Sequence, residues 1–140
     1  MYEKKNLTHI LTILESIEKI DLYTRDFEDA DVFFERNDQM HFNACQALLL
    51  VIGEESKKIE AALRDEHPTI PWNLIAGLRN RIAHDYRSID PYVSFDVIRN
   101  YLPDLKKELM RMLRKVDFEK SLLERAVQTP YYAHLTYLLS

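Results

Sequence analysis

Residues 70–90 read IPWNLIAGLRNRIAHDYRSID, and this stretch decides both the fold and the chemistry. Leu74, Ile75, Leu78 and Ile82 recur at three- and four-residue steps, the period of one helical face. Pro71 suits a helix N1 position, where its missing N–H costs nothing. The pattern predicts a helix over 71–86 with those four residues on its core face and Trp72 anchoring its start. Pro68 disfavours helix at His67 and so separates this element from what precedes it. Asp90-Pro91 restarts the chain after it, with Asp as N-cap and Pro at N1.

Working outward, the same period appears on both sides. Leu7, Ile10, Leu11, Leu14, Ile17 and Ile20 predict a first helix over 3–23. A connector follows over 24–38 with a short helix capped by Thr24 or Asp26. Phe42, Cys45, Leu48, Leu49, Ile52, Ile59 and Leu63 predict a second long helix over 39–65. Gly53 lies inside it, at a cost of about 1 kcal/mol against Ala. Gly77 raises the same question, which predicts that the two helices cross closely near Gly53 and Gly77. A fourth helix runs from 91 to 117 through Val93, Val97, Ile98, Tyr101, Leu102, Leu105, Leu109 and Met112, with a kink at Pro103. A short helix from Glu119 to Val127 ends ahead of Thr129-Pro130. The tail YYAHLTYLLS is too apolar for free disorder. The expectation is an all-α chain: an up-and-down four-helix bundle with a short connector helix, residues 1–118, and a packed C-terminal appendage, residues 119–140, set on the bundle or on a partner chain.

Composition narrows the function. The chain has 140 residues, room for one domain with a real core, and only two Gly. That excludes a Walker loop and a GxGxxG turn. The net charge of −4 disfavours broad coating of duplex nucleic acid, although a local basic site is compatible with it. No apolar run approaches a membrane span and the N-terminus is too polar for a signal peptide. The single cysteine, Cys45, excludes an internal disulfide and suits the cytoplasm; it reads as a small buried apolar residue. His9 and the acids of the connector lack the clustering or spacing of a metal site, so no metal or cofactor is expected.

Arg79, Asn80, Arg81, His84, Asp85, Tyr86 and Arg87 crowd nine positions. At about 100° per residue, Asn80, His84 and Arg87 share a face, while Arg79 and His84 lie roughly 140° apart. The two converge if the helix ends near His84, or if two copies meet across a two-fold axis. These groups suit RNA cleavage without a metal. Histidine transfers the proton of a ribose 2′-hydroxyl attacking its neighbouring phosphate, and arginine stabilises the developing phosphate charge. Asn80 suits a ribose or phosphate oxygen, and Tyr86 a base or a phosphate. The alternative is structural: His84 favoured at a helix C-terminus by its charge, and Arg81 with Asp85 as a surface pair.

The run Arg79-Asn80-Arg81-Ile82-Ala83-His84-Asp85-Tyr86 resembles the RX4HXY signature of HepT-like toxins in the HEPN superfamily of helical ribonucleases. Ile52-Gly53-Glu54 resembles that family's GE step. Ile70-Pro71-Trp72 and Gly77-Leu78 resemble the approach to the signature, and Ser88-Ile89-Asp90 its exit. The resemblance covers residues 7–115. It implies a metal-independent endoribonuclease, with no cofactor, whose composite active site lies at a homodimer interface. Arg79 and His84 match the catalytic pair, and Asn80, Arg81 and Arg87 are the expected RNA contacts. Tyr86 matches the tyrosine to which a partner nucleotidyltransferase of the MntA type adds AMP. Such pairs act as type VII-like toxin and antitoxin. AMP there adds bulk and negative charge beside an anion-binding cleft. Two other readings stand beside this one: a non-catalytic HEPN subunit that binds nucleotide or a nucleotidyltransferase, and a structural dimerisation bundle. Glu54 reads as an interhelical partner rather than a catalyst.

Overall fold

The computed structural model describes residues 1–140. Seven α-helices form it: α1 Lys5–Thr24, α2 Ala30–Lys58, α3 Ala61–Asp65, α4 Trp72–His84, α5 Pro91–Asp96, α6 Leu102–Leu113 and α7 Lys120–Ala126. Short 3-10 turns occupy Tyr86–Ser88 and Ala133–Leu139, and a π turn occupies Val97–Tyr101. The class is all-α, as the periodicities predict. The expected boundary between the connector and the second long helix, at 38/39, and the expected interruption at Pro103 are both marked by irregular backbone, while the stop at Lys58 falls inside an expected helix. The central element is α2, packed against α1, α4 and α5.

Each break has a local cause. In α2, Arg36 is extended and Asn37, Asp38 and Gln39 all take positive φ, so a short helix and a long one join through a left-handed link. The first of them is capped by Asp29, which accepts from the Val32 amide at 2.8 Å, and not by Thr24 or Asp26. Thr24 instead bonds back to the Ile20 carbonyl at the buried end of α1. The helix expected to run to 65 stops at Lys58, because Ile59 and Glu60 are extended. Asn6, fully buried, accepts from the freed Glu60 amide at 2.9 Å. That turn leaves both Ile59 and Leu63 in the core. Further on, Pro103 has no N–H to give the preceding turn, and the chain absorbs this by widening to the π turn immediately before it.

The tail lies over α1. Tyr132 shares a hydrogen bond with Thr12 at 2.8 Å, Tyr137 donates to Glu18 at 3.0 Å, and Leu135 is fully buried. At the other end, Tyr2 pairs with the segment after α6 through its own amide and carbonyl. No helix is long and apolar enough to cross a membrane. Cys45 is buried, and burial pushes its thiol up to about 12, which keeps it protonated and inert.

The crossing of α2 and α4 is centred on Gly53, whose missing side chain is filled by Arg79. A Cβ on Gly53 would run into the Cβ of Arg79 and lie 2.8 Å from its Cγ. Gly77 takes no part in this crossing and faces open space. Gly53→Ala is therefore expected to cost about 1–2 kcal/mol despite its better helix propensity, because overpacking outweighs that gain. A lowered urea midpoint at unchanged slope is the check.

Candidate active site

The helix that carries the motif is fixed at both ends. At its start the Trp72 indole donates to the carbonyls of Arg64 and His67, both at 3.2 Å, tying α4 to the end of α3. Pro71 is the residue ahead of the first turn rather than within it. At its end the helix stops at His84, two residues earlier than expected. Asp85 turns out of helical geometry, and Ser88 closes a 3-10 turn back onto the Asp85 carbonyl through both its amide and its hydroxyl. Ile89, buried, pins that turn to the core.

This ending rearranges the expected face. Asn80 and His84 stay on α4, but Arg87 leaves the helix with the 3-10 turn. His84 is exposed and forms no hydrogen bond or ion pair, so both imidazole nitrogens are free. Arg81 and Arg87 are exposed and unpaired, and no Arg81–Asp85 ion pair forms. Arg79 is held differently. Its Nε donates to Glu54 across the α2–α4 crossing, and its Nη1 donates to the Asn80 side chain at 3.1 Å. No hydrogen bond joins Arg79 to His84 within one chain.

Tyr86 is 37% exposed. Its hydroxyl donates to Asn43 on α2, and its ring packs edge-on to Phe42 at 6.3 Å. Partial burial raises the hydroxyl's pKa, an effect that Arg87 opposes, so it stays protonated at neutral pH. Glu54 is the interhelical partner expected of the GE step. Asn43 was not legible: a polar residue on a helix beside a buried Phe carries no mark of a partner 43 positions away.

The core face of α4 also differs from expectation. Only Ile82 is buried there. Leu74 is 69% exposed, and Val93 and Tyr101, also expected in the core, are each 50% exposed. They line one side of the molecule with Leu78 and Val97, in a groove of about 460 Å³ that runs past Gly77 to Arg81. The apolar period of α4 therefore serves two surfaces, one inward and one outward. This apolar face borders the exposed, unpaired Arg81. No three His, Cys, Asp or Glu side chains come together as a potential metal-ligand group.

Comparison with known proteins gives a consistent set of relatives. A family model described as "Ribonuclease HepT-like" matches residues 13–112. A Methanocaldococcus jannaschii protein named "Putative RNase MJ1216" is 30% identical over 105 residues, covering 75% of this chain and 84% of the relative. A Thermococcus cleftensis protein named "Probable ribonuclease HepT" is 28% identical over 110 residues, covering 79% of this chain and 97% of the relative. A larger M. jannaschii protein, "Gamma-glutamylcyclotransferase and putative RNase MJ0434", is 30% identical over 109 residues; the match covers 78% of this chain and only 48% of that protein. No solved structure matches.

Proposed function

The chain belongs to the HepT-like ribonuclease family, and on that premise we propose that it cleaves RNA at the Arg79–Tyr86 motif without a metal, as the toxin of a type VII-like toxin–antitoxin pair. One observation carries this reading: Arg79 is clasped by Glu54 at a tight helix crossing, while His84, Arg81 and Arg87 are left exposed and unpaired at the adjoining helix end. Structural ion pairing would have used the two arginines. An anionic substrate would use them instead.

In the proposed reaction a His84 imidazole takes the proton from a ribose 2′-hydroxyl. The 2′-oxygen attacks the adjacent phosphorus, and the bond to the 5′-oxygen breaks. The leaving oxygen takes a proton from an acid. Arg79 stabilises the charge that grows on the non-bridging oxygens, with Asn80, Arg81 and Arg87 holding neighbouring ribose and phosphate groups. The products are a 2′,3′-cyclic phosphate and a 5′-hydroxyl. End-group analysis of the cut RNA tests this chemistry directly; 3′-hydroxyl and 5′-phosphate ends would exclude it.

The reaction needs both a base and an acid, and each motif carries one histidine. A homodimer across the Leu74–Val93–Tyr101 face would bring two His84 side chains to one cleft, with Gly77 allowing close approach of the partner's helix. Glu54 acts as a positioning residue. Glu54→Ala is expected to lower kcat about tenfold with little change in KM, since it loosens a charged hydrogen bond that is only partly buried. Glu54→Gln, which keeps an acceptor for Nε, should recover most of that loss.

The proposed regulation is AMP addition to Tyr86 by a nucleotidyltransferase partner of the MntA type. The Tyr86 hydroxyl is protonated and engaged with Asn43, so the partner must supply the base that activates it. With such a partner and ATP, the Tyr86 oxygen attacks the α-phosphorus and pyrophosphate leaves, so the unaltered protein should gain the mass of an adenylyl group and lose cleavage. Tyr86→Phe should gain nothing and keep cutting. Equal modification of Tyr86→Phe would place the acceptor elsewhere.

A further inference from the structure

Tyr86, Arg87 and Ile89 form one wall of a second cavity, of about 370 Å³, whose other walls come from α2. Its volume falls within the roughly 300–1,000 Å³ of small-ligand clefts. Phe34 and Tyr86 supply the accessible aromatic surface, over a buried Phe42 that lies 5.0 Å from Phe34, edge to face. Gln39, Asn43 and Arg87 supply the polar atoms. Asn43 spends its Oδ1 on the Tyr86 hydroxyl, which leaves its Nδ2 donors without a partner. The Gln39 amide and the Arg87 guanidinium make no hydrogen bond in the chain.

Gln39 is placed by an unusual backbone. It ends three consecutive residues at positive φ, 53°, 55° and 68°. Asn and Asp tolerate the left-handed region, but Gln gains nothing from it. Such conformations persist where the surroundings demand them and cluster at ligand clamps. Here the link turns an amide side chain towards an aromatic cavity that no other part of the chain fills.

We infer that this cavity, bounded by Phe34, Gln39, Phe42, Asn43, Tyr86 and Arg87, takes one base of the RNA substrate next to the bond that is cut. The inference rests on the ribonuclease reading of the neighbouring motif. Aromatic surface stacks on any base. The two amides read its hydrogen-bonding edge, Gln39 offering donors and an acceptor and Asn43 its Nδ2 donors. Arg87 takes the phosphate that the base carries. The cavity therefore sets which nucleotide flanks the cut, while Arg79 and His84 carry out the cleavage.

The test is equilibrium binding of RNA hexamers, oligo-A, oligo-U and oligo-C, to His84→Ala protein, so that the RNA stays intact. AMP, UMP and CMP are measured beside them. The expected result is a preference of about tenfold for one hexamer, reduced to about twofold by adding Asn43→Ala or Gln39→Ala. Both residues are exposed, and thermal melts confirm that the variants fold. Equal binding of all three hexamers, or a preference that survives both changes, overturns the inference. So does tighter binding of a mononucleotide than of its hexamer, which would make the cavity a free-nucleotide site. The two readings fail separately. Base-selective binding by a protein that leaves RNA uncut with His84 intact refutes the nuclease and keeps the base site. Cleavage with no base preference refutes the base site and keeps the nuclease.

Discussion

His84→Ala is expected to slow RNA cleavage by about 10²–10⁴-fold, the range for removing a general acid or base, with almost no change in stability. The second half of that expectation comes from the structure. His84 is exposed at the last residue of α4 and bonds to nothing. Surface changes of this kind move stability by about 0.5 kcal/mol or less. Activity and folding are thus separable at this position, which is not true of Arg79. The Arg79 side chain fills the space over Gly53 and binds Glu54, so its loss would disturb the α2–α4 crossing as well as the chemistry. A rate loss in His84→Ala at an unchanged melting temperature would assign the defect to proton transfer. A fall in both would point to a structural histidine.

Separating two copies is expected to be as damaging. Leu74→Glu with Tyr101→Glu places two charges on the outward apolar face, where both side chains are already half or more exposed. The single chain should fold as before. A dimer of standard size buries about 1,200–2,000 Å², and two carboxylates without partners inside it would be strongly unfavourable. If each cleft needs groups from both copies, cleavage should fall at least about 100-fold, as expected for misplaced reacting groups. Sedimentation and cleavage measured on the same samples give the answer. A monomer that cuts at the full rate would show that one chain holds the whole site.

The helical class was legible because apolar residues at three- and four-residue steps leave few other options, and the Asp90-Pro91 start appears as expected, with Asp90 accepting from the Tyr92 amide at 2.9 Å. What periodicity could not show is which apolar faces are covered. Leu74, Val93 and Tyr101 match the pattern as well as Ile82 does, yet only Ile82 is buried. Breaks made by distant side chains were equally hidden, such as Asn6 holding the turn at Glu60. The boundary read at 38/39 falls on the left-handed link at 37–39, but its positive φ values have no glycine to announce them. At the candidate site the motif itself was plain in one short stretch. Its supports, Glu54 on Arg79 and Asn43 on Tyr86, come from α2 and are set by the crossing at Gly53. The open side of Gly77 shows the limit of reading a helical glycine as an internal contact.

The most direct measurement is cleavage of RNA by the purified protein in excess EDTA, with Tyr86 shown by mass to be unmodified, beside Arg79→Ala and His84→Ala proteins checked for folding and dimerisation. The account predicts cutting by the unaltered protein and loss of cutting in both variants. Intact RNA with the unaltered protein, or equal cutting by all three, would contradict it; the first result would favour a HEPN subunit that binds without cleaving.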